Sequence, residues 1–298
     1  MDRRTSVVDL MLLGTVLLWA LNVTATRYLL THGLRPLAYA SIRYFAATTL
    51  FWGFTAQRER SFRVGRTDRK LVGLAALLIF LNQTCFVTSV HLTSASTVGL
   101  VLGTTPVFVG IFALLVGIER PASTFWFAAA VSFLGVGLIA GGGGVSRDGL
   151  GDLIAVATAA TWAAYSVAIA PLMRSYSPLR ISAVVLALGW LPLVLVSIPQ
   201  LASQRFGHFG ALMWIALAYA VIGPLFLTNI LWFTAIDRVG PSRASLFANL
   251  QPFFSVLFAL VLLSEQLNRW EIAGGAAIAV GIVLERMWER RPQAVTVE

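Results

Sequence analysis

The chain has 298 residues, of which 58% are hydrophobic and only 12% are charged, and its mean hydropathy is +0.81. Soluble domains are about half apolar and about a quarter charged, so this composition excludes an ordinary soluble protein and indicates a membrane protein. The net charge of +9 does not indicate nucleic-acid binding, because the short segments between apolar runs leave no basic soluble domain.

Ten apolar runs are long enough to cross the bilayer, whose hydrocarbon core of ~30 Å takes about 20 helical residues. We predict transmembrane helices over residues 9–30, 36–56, 71–90, 94–117, 123–141, 152–172, 180–200, 210–236, 241–263 and 269–287. A membrane barrel would instead need short alternating strands. The predicted fold class is therefore an all-α membrane protein with ten transmembrane helices.

The basic residues predict the orientation of these helices. If both termini are cytoplasmic, four of the 22 basic residues lie in outer segments, two lie inside spans and the remaining sixteen lie in inner segments. Cytoplasmic loops of membrane proteins are enriched in Lys and Arg. We predict a multi-pass protein of the inner (plasma) membrane with both termini in the cytoplasm.

Polar and aromatic side chains share one face of the first predicted helix. Thr15, Trp19, Asn22 and Thr26 follow helical spacing. Polar groups are costly against lipid, so we expect this face to line a cavity, with helix–helix hydrogen bonding as the alternative. Trp19 and Asn22 are candidate substrate contacts.

The second and third predicted helices add further polar groups at membrane depth. Arg43 lies about two turns inside the second span, where it could face an outer vestibule and attract a carboxylate or phosphate. Arg27 lies near a helix end, where snorkelling or capping is the better interpretation. Asn82 and Gln83 on the third helix are candidate substrate contacts.

Similar residues recur in the second half of the chain. The candidate substrate contacts there are Trp162, Tyr165, Asn229, Asn249 and Gln251. Pro106 in the fourth helix and Pro252 in the ninth predict bends that could act as hinges. The alternative for Asn249 and Gln251 is that they pair with the carbonyl that the proline leaves free.

The chain contains an internal repeat. An Asp-Leu pair precedes Trp19 by ten residues and precedes Trp162 by the same distance, and thirteen residues separate Pro106 from Glu119 and Pro252 from Glu265. We divide the chain into residues 1–145 and 146–298, joined by a glycine run. Since each copy has five helices, the second must be inverted in the membrane, as in carriers that open alternately to either side.

These features resemble the EamA-type family of the drug/metabolite transporter superfamily. The resemblance rests on the repeat, on the Trp in the first helix of each copy, on the two prolines and terminal glutamates, and on Pro36 with Arg43-Tyr44. It implies ten helices, cytoplasmic termini, a central cavity lined mainly by helices 1, 3, 4, 6, 8 and 9, and metabolite export. Arg43 departs from the symmetry, because Val185 stands near the matching place.

We therefore predict a transporter that exports small metabolites by alternating access, with aromatic or other apolar amino acids as leading substrates. The alternatives are a transporter of phosphorylated or nucleotide-linked solutes and, with less support, a membrane-embedded enzyme or a lipid flippase.

We expect no catalytic residues, cofactor or metal, because the three histidines are scattered and Cys85 is the single cysteine. Glu119 and Glu265 are expected to make helix-end contacts, and no carboxylate lies near mid-depth. The predicted partners are the lipid bilayer and a small-molecule substrate, not nucleic acid, and a monomer is the expected state.

Overall fold

The computed structural model describes residues 3–117, 123–142, 147–239 and 247–289, and within these ranges every regular element is helical. The helices are α1 (Arg3–Thr31), α2 (Pro36–Arg58), α3 (Arg69–Leu92), α4 (Ala95–Leu102), α5 (Thr105–Leu115), α6 (Ser123–Gly142), α7 (Arg147–Ser175), α8 (Pro178–Ala202), α9 (Ala211–Val221), a π-helical segment (Ile222–Leu227), α10 (Thr228–Val239), α11 (Gln251–Leu263) and α12 (Arg269–Glu289). The all-α prediction is confirmed for these residues.

Six stretches of the described chain are long and apolar enough to cross a membrane. They are Val7–Thr31, Arg69–Leu92, Ala95–Leu115, Gly149–Ser175, Pro178–Ala202 and Ala211–Trp232. Large apolar side chains such as Leu134 and Leu195 point outwards and are 68% and 66% exposed, which suits a surface covered by lipid. The structure thus supports membrane spanning for six helices, and the count of ten stays a prediction.

Helix contacts fall into pairs that are related by exchange of the two halves of the chain. Three pairs join corresponding helices directly: α2 packs on α8, α6 on α12, and α4 on α11. Other contacts occur twice, once in each direction between the halves. The packing of α3 on α7, for example, corresponds to the packing of α1 on the π-helical segment and α10. The packing pattern of the described residues is therefore that of two similar halves.

Glycines allow the closest of these contacts. A Cβ on Gly135 of α6 would lie 2.5 Å from the carbonyl oxygen of Gly274 in α12, and a Cβ on Gly103 would lie 2.8 Å from Cγ of Pro252. Real Cβ atoms do not approach so closely, so both contacts require glycine. Small residues that bring backbones together are characteristic of membrane helix packing.

Two apolar segments are interrupted close to a predicted hinge proline. In the first half, α4 ends at Leu102 and α5 begins at Thr105, with Pro106 in its first turn. The hydroxyl of Thr105 donates to the carbonyl of Leu102 at 2.7 Å, which satisfies an acceptor freed by the break. In the second half, a turn ends at Leu250 and Pro252 lies in the first turn of α11.

A further irregularity, the π-helical segment, occurs in the second half. It contains Pro224, which has no N–H to contribute to a helical ladder, and its carbonyl accepts a hydrogen bond from Thr228 Oγ1 at 2.7 Å. The Tyr219 hydroxyl just before the segment donates to the carbonyl of Leu18 in α1 at 2.7 Å. The matching residues of the first half, 76–81, lie in uninterrupted α-helix.

The two ends of the bundle are held by separate sets of polar contacts. At one end, called here the Arg35 end, Arg35 donates to Ser203 Oγ at 2.6 Å. At the opposite end, called the Glu59 end, Glu59 forms an ion pair with Arg180 at 3.0 Å. Both pairs join α2 to α8, so they fix the same helix pair at its two extremities.

Candidate functional site

A buried arginine lies where the first three helices meet. Arg43 of α2 is 1% exposed, and its Nη1 donates to Asn22 Oδ1 at 3.0 Å and to the Tyr39 hydroxyl at 3.1 Å. Its Nη2 donates to Gln83 Oε1. We call Asn22, Tyr39, Arg43, Asn82 and Gln83 the arginine cluster. The outer vestibule predicted for Arg43 is therefore not its surroundings in this structure.

The groups that accept hydrogen bonds from the Arg43 cation are neutral amide and hydroxyl oxygens. No carboxylate of the described residues accepts a hydrogen bond from it. Its Cζ lies 5.0, 5.8 and 5.7 Å from the ring centroids of Tyr39, Tyr44 and Phe86, and these cation–π contacts offset part of the cost of burial. Its buried Nε makes no hydrogen bond, so the cation is incompletely satisfied.

A chain of hydrogen bonds begins at Arg43, and each side chain in it donates to the next. Arginine only donates, so the atom of Gln83 that faces it must be oxygen. The Gln83 amide nitrogen then donates to Asn82 Oδ1 at 2.9 Å, and Asn82 Nδ2 donates to the carbonyl of Thr158 at 2.9 Å. This chain crosses from α2 through α3 to α7, so it joins the two halves of the protein.

Four aromatic side chains form a second group, the tryptophan cluster, which contains Trp19, Trp162, Tyr165 and Trp232. The Trp19 centroid lies 6.4 Å from that of Trp162, with the rings edge to face, and 5.0 Å from that of Trp232. Trp162 lies 5.5 Å from Tyr165. Trp19 Nε1 donates to Thr228 Oγ1 at 3.1 Å, which ties α1 to α10. All four rings are half-buried.

The remaining predicted contacts lie along the second half. Asn229 donates from Nδ2 to the carbonyl of Leu225, back along its own chain and into the π-helical segment. Asn249 and Gln251 are half-buried at the break before α11, next to Pro252. The structure therefore brings Asn22, Arg43, Asn82 and Gln83 together and does not bring Asn229 into their network.

Four contributors were not identified from the sequence, although their spacing gave a signal for two of them. Tyr39 precedes Arg43 by four residues, and Trp232 follows Thr228 by four, so each pair shares a helix face. Tyr44 entered the sequence analysis only through the family resemblance. Phe86 carries no comparable signal, because an aromatic residue on a membrane helix is more often packed against lipid or core.

Charged residues at the helix ends have capping roles. Glu265 accepts from the backbone N–H groups of Ala95 and Ser96, both at 2.9 Å, and so caps the start of α4, as expected from its position. Arg27 donates to the carbonyl of Val90 at 2.7 Å and caps the end of α3. Glu119 lies outside the described residues.

A surface cavity is a further feature of the described chain, which holds no cluster of metal ligands. Within those residues, no group of three or more metal-ligating side chains occurs. A surface cavity of about 640 Å³ opens at the Arg35 end. It is lined by His32, Gly33, Arg35, Ala202, Ser203, Gln204, Arg205, His208 and Phe209, most of them exposed.

Comparison with known proteins gives the same answer for both halves. The EamA-like transporter family matches residues 6–141 and, a second time, residues 149–286. An uncharacterized transporter of Archaeoglobus fulgidus is 27% identical, over 91% of this chain and 95% of its own length. The uncharacterized transporter YdeK of Bacillus subtilis is 30% identical over 65% of each chain.

A third relative and one solved structure extend the comparison. The uncharacterized inner membrane transporter YedA of Escherichia coli K12 is 25% identical over 84% of this chain and 81% of its own length. A crystal structure at 20% identity superposes with a TM-score of 0.67 and covers 96% of this chain and 99% of its own. At that identity the likeness concerns the fold alone.

Proposed function

Because the chain belongs to the EamA-like transporter family and is an integral inner-membrane transporter, we propose that it exports small amphipathic metabolites by alternating access. Amino acids with aromatic or other apolar side chains are the first substrates to test. The observation that supports this choice is the contact of Trp19 with Trp162, which joins the first helices of both halves. Asn22, three residues after Trp19, accepts a hydrogen bond from the buried Arg43.

We further propose ten transmembrane helices in two inverted halves, residues 1–145 and 146–298. Thr93 at the end of α3 donates to Asp152 near the start of α7 at 2.7 Å, so α3 and α7 run in opposite directions. The pairing of α2 with α8, α6 with α12 and α4 with α11 supports the same arrangement. Two copies mounted in this way can open in turn around a site near the midplane.

In the proposed site, the apolar part of the substrate contacts the tryptophan cluster and its polar part faces the arginine cluster. Each cluster has one member on α1: Trp19 belongs to the tryptophan cluster and Asn22 to the arginine cluster. The two are three residues apart on one helix face. Asn249 and Gln251 at the break before α11 are further proposed contacts. The breaks beside Pro106 and Pro252 serve as the hinges around which the half-helices move.

The choice of an amphipathic substrate over a phosphorylated one rests on the cations. A phosphate site would need several basic side chains, whereas Arg27 is bound to the carbonyls of Val90 and His91 and Arg43 stands alone in the arginine cluster. Family membership favours a transporter over an enzyme or a lipid flippase.

The test is solute counterflow in proteoliposomes with a panel of amino acids, nucleosides and sugar phosphates, with and without a pH gradient. We expect amino acids to be carried and sugar phosphates to be excluded. Failure of every panel member to exchange would refute the proposal, and exchange of sugar phosphates alone would establish the alternative.

Replacement of Arg43 tests the site itself. We expect Arg43→Ala to insert normally in the membrane and to lose transport, because Asn22, Tyr39 and Gln83 lose their shared donor. The matched control is Arg58→Ala, at an exposed arginine at the end of the same helix. Wild-type flux in Arg43→Ala would remove Arg43 from the mechanism.

A further inference from the structure

The side-chain amide of Asn22 has a fixed orientation. Its Oδ1 accepts from Arg43 Nη1, and because arginine has no acceptor, the opposite orientation would set two donors against each other. The Asn22 amino group is consequently turned away from the cation. Within the described residues it makes no hydrogen bond, and the side chain is half-buried, so its N–H groups are available to a ligand.

The oxygen atoms of the neighbouring carboxamides already accept hydrogen bonds within the arginine cluster. The oxygen of Gln83 accepts a hydrogen bond from Arg43, and the oxygen of Asn82 accepts one from Gln83. The oxygen of each amide, like that of Asn22, therefore faces the preceding donor and its amino group faces away from it. Arg43 contributes a positive charge that no carboxylate of the described residues neutralises by hydrogen bonding. The amino groups of Gln83 and Asn82 are also engaged, so the polar side of the site offers the amino group of Asn22 and the positive potential of Arg43, which attract an anionic acceptor and repel a cation.

The apolar side of the site adjoins this donor. Trp19 lies one helical turn before Asn22, and its ring contacts those of Trp162 and Trp232. Half-buried indole rings provide faces on which a planar apolar group can pack. A ligand that satisfies both sides has an aromatic body and an acceptor group about one helical turn from it.

On this basis we propose that the site binds aromatic compounds that carry a carboxylate without a cationic group, and that Asn22 determines this preference. Asn22 donates to the carboxylate, while Arg43 is a positioning residue that orients Asn22 and supplies the field. A zwitterionic amino acid binds less well, because its ammonium group is repelled by Arg43. The inference rests on the proposed transport function and moves its preferred substrates from aromatic amino acids to aromatic carboxylates without an ammonium group.

The experiment compares compounds that share one ring and differ in the polar group: indole-3-acetate, tryptophan, indole-3-acetamide and tryptamine. Initial counterflow rates are measured at equal concentrations in proteoliposomes. We expect the rates to fall in that order, with indole-3-acetate about tenfold faster than indole-3-acetamide, as one well-made charge-assisted hydrogen bond would give.

Asn22→Asp is the decisive variant. It keeps the shape of the side chain, pairs with Arg43 and so preserves folding, but it removes the two donors and neutralises the cation. We expect the rate with indole-3-acetate to fall about tenfold and the preference over tryptamine to be lost. Asn268→Asp makes the same change at a capping position on the Arg35 end and should leave the ranking unchanged.

Arg43→Gln tests the positioning role, because its amide can present either donor or acceptor to Asn22. The ratio of indole-3-acetate to indole-3-acetamide rates should collapse towards one, a change that a loss of folded protein alone would not produce.

Equal rates for the carboxylate, amide and amine, or a wild-type ranking in Asn22→Asp, would overturn the inference. So would exchange of other panel solutes with no exchange of any indole compound, and in both cases the transport function would stand. Absence of exchange for every solute would overturn both proposals together.

Discussion

Asn82 occupies the middle of the hydrogen-bonded chain that joins the halves. Its Oδ1 accepts from Gln83, and its Nδ2 donates to the carbonyl of Thr158. Asn82→Leu keeps the approximate size of the side chain, removes the acceptor of the buried Gln83 amino group and breaks the bond to the carbonyl of Thr158. We expect a loss of ~1–3 kcal/mol in stability, measured as a lower midpoint of thermal unfolding in detergent.

Thr84→Val is the control for that variant. Among the described residues, the hydroxyl of Thr84 bonds the carbonyl of Phe80 alone, in its own helix, so its loss should lower the midpoint less. An equal shift for the two variants would mean that the bond between the halves adds nothing to stability.

The sequence identified the amide and arginine members of the arginine cluster from their cost in lipid, and it missed Tyr39. It could not give their order, because which amide oxygen faces which nitrogen depends on how α2, α3 and α7 are placed. For the same reason Arg43 was expected at a vestibule, whereas the rings of Tyr39, Tyr44 and Phe86 enclose it. Depth along a helix is readable from sequence, and the direction in which a residue faces is much less so.

At the scale of helices, the contact between α6 and α12 gives a sharp test. Gly135 faces the carbonyl of Gly274, whereas a Cβ on Gly137, two residues further on, would have no atom within 4 Å. We expect Gly135→Leu to separate the two helices and to reduce the yield of folded protein, and Gly137→Leu to be tolerated at the lipid-facing surface.

Size-exclusion profiles in mild detergent and unfolding midpoints would measure both glycine variants. A Gly135→Leu protein as stable as Gly137→Leu would show that this contact is not close in solution.

Interruptions of helices were partly predictable. Pro106 and Pro252 each indicated a bend, and the structure has a break in the helix just before both. The π-helical segment was not predicted, although Pro224 is visible in the sequence, because a proline signals only that a ladder is disturbed. Whether the chain kinks or widens there depends on anchors such as the bond from Tyr219 to Leu18.

For the whole molecule, the prediction to check is orientation. The Glu59 end carries a concentration of basic residues, among them Arg58, Arg60, Arg63, Arg66, Arg69 and Lys70, so we expect it in the cytoplasm. In a Cys85→Ser background, Gly207→Cys at the Arg35 end should react with a membrane-impermeant maleimide in intact cells. Thr67→Cys at the Glu59 end should react only after permeabilisation.

Both test positions are exposed, so the control for reactivity is labelling of each variant in detergent. Labelling of Thr67→Cys from outside intact cells would reverse the assignment of the two faces.

The architecture was the part most fully predicted from sequence. Composition indicated a membrane protein, and the spacing of Trp19 and Trp162 within the repeat indicated two copies, which the matches over residues 6–141 and 149–286 confirm. The substrate was not predictable at the same level, because many solutes satisfy a site built from a few amides and rings.

The π-helical segment has a consequence for the resting behaviour of the protein. Ile222–Leu227 widens one helix of the second half, and residues 76–81 of the first half have no such widening. Two halves that differ in this way cannot fully adopt each other's conformation, so the outward-open and inward-open states are unequal in free energy. We therefore expect one of the two open states to predominate in the absence of substrate. We also expect the substrate concentration that gives half-maximal transport to differ between the two sides of the membrane.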